Sequence, residues 1–232
     1  MTDRPALVLE HEPDAPAALL AEWAADRGLE LEVVPAGGEL PGLDGRPFVV
    51  SLGSEASAYD DTVPWLAAER ALLDRAIADD VPVLGICFGA QHLARALGGS
   101  VGPARRPEVG WLDIETFVPD VVPPGPWMQW HRDAFTPPPG AELLARSPVS
   151  AQAFRVGPHL GVQFHPEVTA VVAEDWASNY PDSLEIAGTT PEALRDGTLR
   201  HAAGARARAY ALFDAFLASA ESGVRLGADA AG

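Results

Sequence analysis

Pro82-Val83-Leu84-Gly85-Ile86-Cys87-Phe88-Gly89-Ala90-Gln91 is the stretch whose reading decides the fold. Val81 to Ile86 is a short apolar run, suited to a strand buried on both faces of a parallel sheet. Beyond Cys87 the residues are small and helix-permissive. They lead into His92-Leu93-Ala94-Arg95-Ala96-Leu97, which Gly98-Gly99 stops. The only cysteine of the chain therefore falls where a strand becomes a helix, with Gly85 and Gly89 flanking it. That layout is a nucleophile elbow, a strained turn that pushes one side chain out over the sheet edge. Glycines are required where strand and helix backbones pass too close for larger side chains. The helix N-terminus adds partial positive charge and free N–H groups, which favour thiolate over thiol. A buried structural cysteine in an ordinary strand-turn-helix is the alternative. A second stretch weighs against it, Gln163-Phe164-His165-Pro166-Glu167.

Working outward, Ala6–Glu10 reads as a strand, 16–27 as a helix stopped by Gly28, and Leu29–Val34 as a second strand. Pro47–Leu52 is a third, apolar strand that ends in the polar loop Gly53-Ser54-Glu55-Ala56-Ser57. Pro64–Asp79 reads as a helix with Leu66, Leu72, Leu73 and Ile77 on one face. The alternation predicts an α/β fold: a mostly parallel central sheet with helices on both faces. From Ser100 to Phe164 the pattern changes to short strands, at Gly110–Phe117, Trp127–Trp130, Ala151–Val156 and Leu160–Phe164. Pro123-Pro124 and Pro137-Pro138-Pro139 exclude helix between them. This region predicts an antiparallel or mixed extension of the sheet. Val168 begins a helical last third, through 191–200 and 201–219, and the tail from about residue 222 is expected to fray. The whole of 1–232 reads as one domain, with no internal repeat.

Pro166 forces His165 to be extended. In extended chain i and i+2 share a face, so His165 and Glu167 point the same way. A carboxylate beside an imidazole fixes its tautomer and stabilises the imidazolium. If that imidazole meets the Cys87 sulfur, the three form a Cys-His-Glu triad. His11, His159 and His201 have no partner at metal spacing and read as surface residues, and His92 as packing. Trp111, Trp127 and Trp130 read as core and pocket wall. No zinc or EF-hand spacing is present, so no metal and no cofactor is expected.

Gly85-Ile-Cys-Phe-Gly-Ala-Gln91 followed by Phe164-His-Pro-Glu-Val168 resembles the class I (triad) glutamine amidotransferase domain, in particular its stand-alone, GMP-synthase-like members. Ser57-Ala-Tyr-Asp60 fits the same subgroup, and Gly110-Trp111 matches a turn of the family. The resemblance implies a flavodoxin-like sheet. It also implies a reaction: the Cys87 thiolate attacks the side-chain amide of glutamine, His165 protonates the departing ammonia, and water hydrolyses the γ-glutamyl thioester. The oxyanion donors implied are the N–H of Phe88 and one from the loop at Gly53. Gln91 matches a position that contacts glutamine, and Gln129-Trp130-His131-Arg132-Asp133 matches a loop that holds the substrate's amino-acid end. Two departures stand out. Arg132 replaces the usual glycine, and Leu52-Gly53-Ser54-Glu55 replaces the usual Gly-Gly-Pro.

The formal net charge of −17 argues against nucleic acid, which needs clustered cations. All sixteen basic residues are arginine, which excludes Schiff-base, P-loop and lysine-base chemistry. No apolar run approaches the length of a membrane span and the start carries no signal pattern, so no membrane contact is expected. A single cysteine suits a reducing cytoplasm. Three functions fit: a glutaminase that passes ammonia to a separate synthetase, a free-standing hydrolase or transferase of γ-glutamyl amides or peptides, and a non-catalytic regulatory subunit of the same fold.

Overall fold

The computed structural model describes residues 4–229, with side chains through residue 220. β1 (Ala6–Glu10), α1 (Ala18–Asp26), β2 (Leu31–Pro35), β3 (Val49–Ser51), α2 (Leu66–Ala78), β4 (Val83–Ile86) and α3 (Phe88–Ala96) follow one another as the alternation predicts. Next come β5 (Ser100–Asp113), β6 (Glu115–Thr116), β7 (Pro126–Thr136), β8 (Glu142–Arg146), β9 (Ala151–Val156) and β10 (His159–Val162). The chain continues into α4 (Ala170–Asn179), α5 (Pro181–Ala187) and α6 (Pro191–Asp229). The tail expected to fray from about residue 222 instead continues α6 to Asp229, and its last three residues lie outside the described residues.

Among the described residues the central sheet has eight strands, in the order β2-β1-β3-β4-β10-β9-β8-β6. The five from β2 to β10 are parallel, and β9, β8 and β6 add antiparallel strands at one edge. Alternation along β1 shows why both faces are covered. Ala6 and Val8 pack with Trp23 of α1 and Phe213 and Phe216 of α6. Leu7 and Leu9 pack on the opposite face, with Leu72 and Leu73 of α2 and Leu93 of α3. Each large side chain so buried is worth about 1.5–3 kcal/mol against leaving it in water.

The middle of the chain departs from the sequence reading. β5 and β7 pair with each other in a separate two-stranded ribbon rather than extending the sheet, and β5 starts well before Gly110. A register shift between Pro103 and Glu108 interrupts the ribbon where Arg105 and Arg106 face solvent. That irregularity broke the alternation by which a strand is read. β8 lacks a strand's alternation for a similar reason, since only Leu144 and Ala145 of its five residues are buried. β10 ends at Val162, before Gln163 and Phe164. One face of the ribbon packs on α4 and α5 through Met128, Val109, Val172, Trp176 and Leu184, and this holds β7 over the carboxyl ends of the parallel strands.

Candidate active site

Cys87 sits between β4 and α3 with φ 52° and ψ −107°. Among the described residues only Ala18, Asp80 and Cys87 have positive φ without being glycine. Such a conformation costs about 1–3 kcal/mol and persists only where neighbours enforce it. Here the Cys87 N–H donates to Val162 O (2.8 Å), the Gly89 N–H to Leu52 O (3.1 Å) and the Gln91 N–H to Cys87 O (3.1 Å). The glycine requirement is steric. A Cβ on Gly85 would lie 2.6 Å from the carbonyl of Gly89, and one on Gly89 would lie 1.9 Å from Ser51 O.

β10 lies beside β4 with Val162 level with Ile86, so the chain leaving β10 passes next to Cys87. The His165 N–H donates to Met128 O of β7 (2.8 Å), which ties the ribbon to this corner. Nδ1 of His165 lies 2.7 Å from Glu167 Oε1, and the ring feels the charge of the Cys87 side chain. The Trp176 indole meets the ring edge-on at 4.8 Å. Burial alone would lower the pKa of His165. The Glu167 carboxylate and the Cys87 sulfur outweigh it and raise the value to about 10. Glu167 is 2% exposed, and its Oε2 has no partner among the described residues.

Cys87, His165, Gly53, Gln91, Trp130, His131 and Arg132 all line one open cavity of about 160 Å³. Phe88, next to Cys87, is not among the lining residues. Its ring packs on Trp65 and His11, and its N–H, in the first turn of α3, has no intrahelical acceptor. Gly53 leaves room for the histidine: a Cβ there would stand 3.0 Å from His165 Cε1. The loop after Gly53 is braced by a carboxylate, since Ser54 Oγ and the Glu55 N–H both donate to Glu12 Oε1 (3.1 Å each). Arg132 needs no left-handed backbone, and its guanidinium donates to Glu55 O (2.9 Å) across the cavity.

The family model for class I glutamine amidotransferases matches residues 20–175. The chain belongs to this family. It is 36% identical over 163 residues to a glutamine-hydrolysing GMP synthase of Thermomicrobium roseum, covering 66% of this chain and 29% of that one. To the GMP synthase of Mycobacterium tuberculosis it is 37% identical over 181 residues, covering 71% and 32%. The chain thus spans about a third of the length of these curated relatives. A solved glutamine amidotransferase from Methylobacillus flagellatus superposes with TM-score 0.85 and 26% identity, covering 93% of this chain and 94% of that one. One from Thermotoga maritima gives TM-score 0.85 and 27% identity, covering 92% and 97%. The family expected from the two motifs is the family found.

Several polar groups of the site were not legible in those motifs. Gln91 Nε2 donates to the backbone carbonyl of Asp133 (3.1 Å), which fixes the direction of its amide. The Gln163 atom 3.3 Å from that same Nε2 must then be its oxygen. Gln163 therefore turns its own Nε2 to the Cys87 sulfur, at 3.7 Å. Gln163 stands inside the quoted stretch, but only the tertiary fold brings it under the thiol. His131 lines the cavity with Nδ1 bonded to Asp133 O (2.9 Å), while Nε2 lies 3.2 Å from Glu108 Oε2 without making a hydrogen bond. Ser57 and Tyr59 donate to the Asp133 carboxylate (2.8 and 3.4 Å).

Two histidines read as surface residues are in fact buried. His11 bridges Gly53 and Glu69, and His159 opens a central strand whose neighbours cover it. His201 is half-buried against Trp111, whose indole N–H donates to Thr198 of α6 (2.9 Å) rather than lining the cavity. His92 does pack, and desolvation first, with Arg70 second, lowers its pKa to about 3. Among the described residues no group of three or more His, Cys, Asp or Glu is placed to hold a metal, and no helix is long and apolar enough to cross a membrane.

Proposed function

We propose that the chain hydrolyses the side-chain amide of glutamine through a γ-glutamyl thioester on Cys87 and passes the ammonia to a separate synthetase. The supporting observation is the convergence of Cys87, His165 and Glu167 at one corner of an open cavity, with His165 held protonated. Glu167 takes the Nδ1 hydrogen, which leaves Nε2 of the imidazolium for the sulfur. The thiolate attacks the amide carbon, and the oxyanion forms against backbone N–H groups at Phe88 and the Gly53 loop. Such a donor is worth about 2.7–4 kcal/mol in related chemistry. As the C–N bond breaks, His165 gives its proton to the leaving nitrogen and ammonia departs. The thioester carries no charge to favour the imidazolium, so the neutral ring can now take a proton from water. The water oxygen adds to the acyl carbon, the C–S bond breaks, and glutamate leaves with the thiolate and imidazolium restored.

In this reading Gln91, Trp130 and Arg132, which line the cavity, hold the amino-acid end of glutamine, and His131 shares the Asp133 carbonyl with Gln91. The similarity to glutamine-hydrolysing GMP synthases favours an ammonia-consuming partner. A chemistry that depends on one free thiol suits the reducing cytoplasm. A second reading, hydrolysis of larger γ-glutamyl amides, is favoured by the cavity's extension to Tyr180, Ser183 and Ile186.

The experiment is glutamate release from L-glutamine by the purified chain and by its Cys87→Ala variant. Release by the wild type that the variant lacks supports the proposal. γ-Glutamyl anilides cleaved much faster than glutamine would favour the second reading. If Cys87 released nothing from either substrate and resisted a glutamine-analogue alkylator, a non-catalytic subunit would be the answer.

A further inference from the structure

His11 is the first residue past β1, and β1 lies beside β3 with Leu9 level with Ser51, so its side chain reaches the loop that leaves β3. The ring is sealed from solvent. It stacks on Trp65 at 5.0 Å and meets Phe88 edge-on at 4.9 Å. Nδ1 lies 3.2 Å from Gly53 O, and Nε2 lies 2.9 Å from Glu69 Oε2 on α2. A carbonyl only accepts, so Nδ1 carries a hydrogen. Nε2 faces a carboxylate, so a second proton is shared there. A His–Glu pair buried this completely is held only by good geometry on both sides.

The Gly53–Ser54 peptide is trans, as are all described peptides, so its N–H points away from its carbonyl. Fixing the Gly53 oxygen against His11 therefore fixes the direction of the Ser54 N–H. The preceding peptide is anchored by the same logic, through Leu52 O and the Gly89 N–H (3.1 Å). Both peptide planes around Gly53 are thus set by their carbonyls, one of them by a side chain. The same ring packs on Phe88, whose N–H is the other proposed donor.

We infer that His11, oriented by Glu69, is a positioning residue that aims the Ser54 N–H of the Gly53 loop at the oxyanion. The inference rests on the amide-hydrolysis reading. It touches neither substrate nor thiol, so its effect must fall on the tetrahedral intermediate. Alkylation of Cys87 by iodoacetamide forms no oxyanion, and comparing the two reactions isolates the role.

In His11→Phe, which keeps the ring stack, kcat for glutamine hydrolysis should fall about 10- to 100-fold, less than the loss of a whole donor. KM should stay within about threefold, and iodoacetamide alkylation within about twofold. His11→Asn restores a donor near the Nδ1 position and should recover most of kcat. If the stranded Glu69 unfolds the phenylalanine variant, His11→Phe with Glu69→Leu carries the same comparison. Hydrolysis and alkylation falling in parallel, hydrolysis unchanged, or an asparagine variant no better than phenylalanine would each overturn the inference. A wild type that releases no glutamate would instead overturn the proposed function, and the inference with it.

Discussion

Replacing Glu167 by Gln is the most direct probe of the site's electrostatics, because the two side chains share a shape and differ in charge. His165 holds its proton to about 10 against full burial, and the Glu167 carboxylate is the largest of the influences that raise it. Their contact of 2.7 Å is charge-assisted, and such a bond is worth about 1.5–3 kcal/mol. At 1.36 kcal/mol per pKa unit, its loss should lower the pKa of His165 by about one to two units. In the proposed mechanism the imidazolium is the acid that protonates the leaving nitrogen, so activity should fall as pH rises through the pKa of His165. The sign is therefore fixed: the alkaline limb of kcat should move to lower pH by about one to two units in Glu167→Gln. A glutamine amide can also turn its NH₂ toward Nδ1 and select the wrong tautomer. The plateau kcat should then drop by about 10²- to 10⁴-fold, as for an amide replacing the carboxylate of a Ser-His-Asp triad. The assay is initial glutamate release between pH 6 and pH 11 for both proteins. An alkaline limb that stays where the wild type has it would refute the role given to Glu167.

Gly53→Ala places a methyl 3.0 Å from Cε1 of a ring pinned by Glu167 and Trp176, so the ring must shift by a few tenths of an ångström. Steady-state kinetics should show kcat about tenfold lower, with the melting temperature nearly unchanged. Gln163→Leu conserves volume and removes the N–H facing the sulfur, so iodoacetamide alkylation of Cys87 at pH 7 should slow about tenfold. His92 is buried with its pKa lowered to about 3, so the unfolded chain binds its proton first as pH falls. Chemical denaturation should show stability declining from pH 6.5 toward pH 3, with a shallower decline in His92→Gln. His165 has the opposite sign, and its contribution, full below pH 6.5, is lost as pH rises toward about 10.

The elbow was legible because its causes are local. Gly85 and Gly89 are excluded from being anything larger by backbone within a few residues or on the adjoining strand, and the apolar run and helix start around Cys87 are short-range patterns. The pairing of His165 with Glu167 was legible for the same reason, two residues apart. Gln163 reaches Cys87 across 76 residues, and His11 reaches Glu69 across 58, and no periodicity encodes such a meeting. His11 read as a surface residue because β1 ends just before it. Only the docking of α2 and α3 on that edge covers it.

By itself, then, the sequence determined the strand-turn-helix at Cys87, the parallel half of the sheet and the candidate acid and its carboxylate, because sterics and alternation act over a few residues. The tertiary structure decided which strand ends stand side by side, that β7 crosses above the thiol as a separate ribbon, and which buried donors face the sulfur and the oxyanion loop. Those are contacts between distant segments, chosen by the burial of both sheet faces and by the cost of taking a carbonyl or carboxylate out of water without a donor.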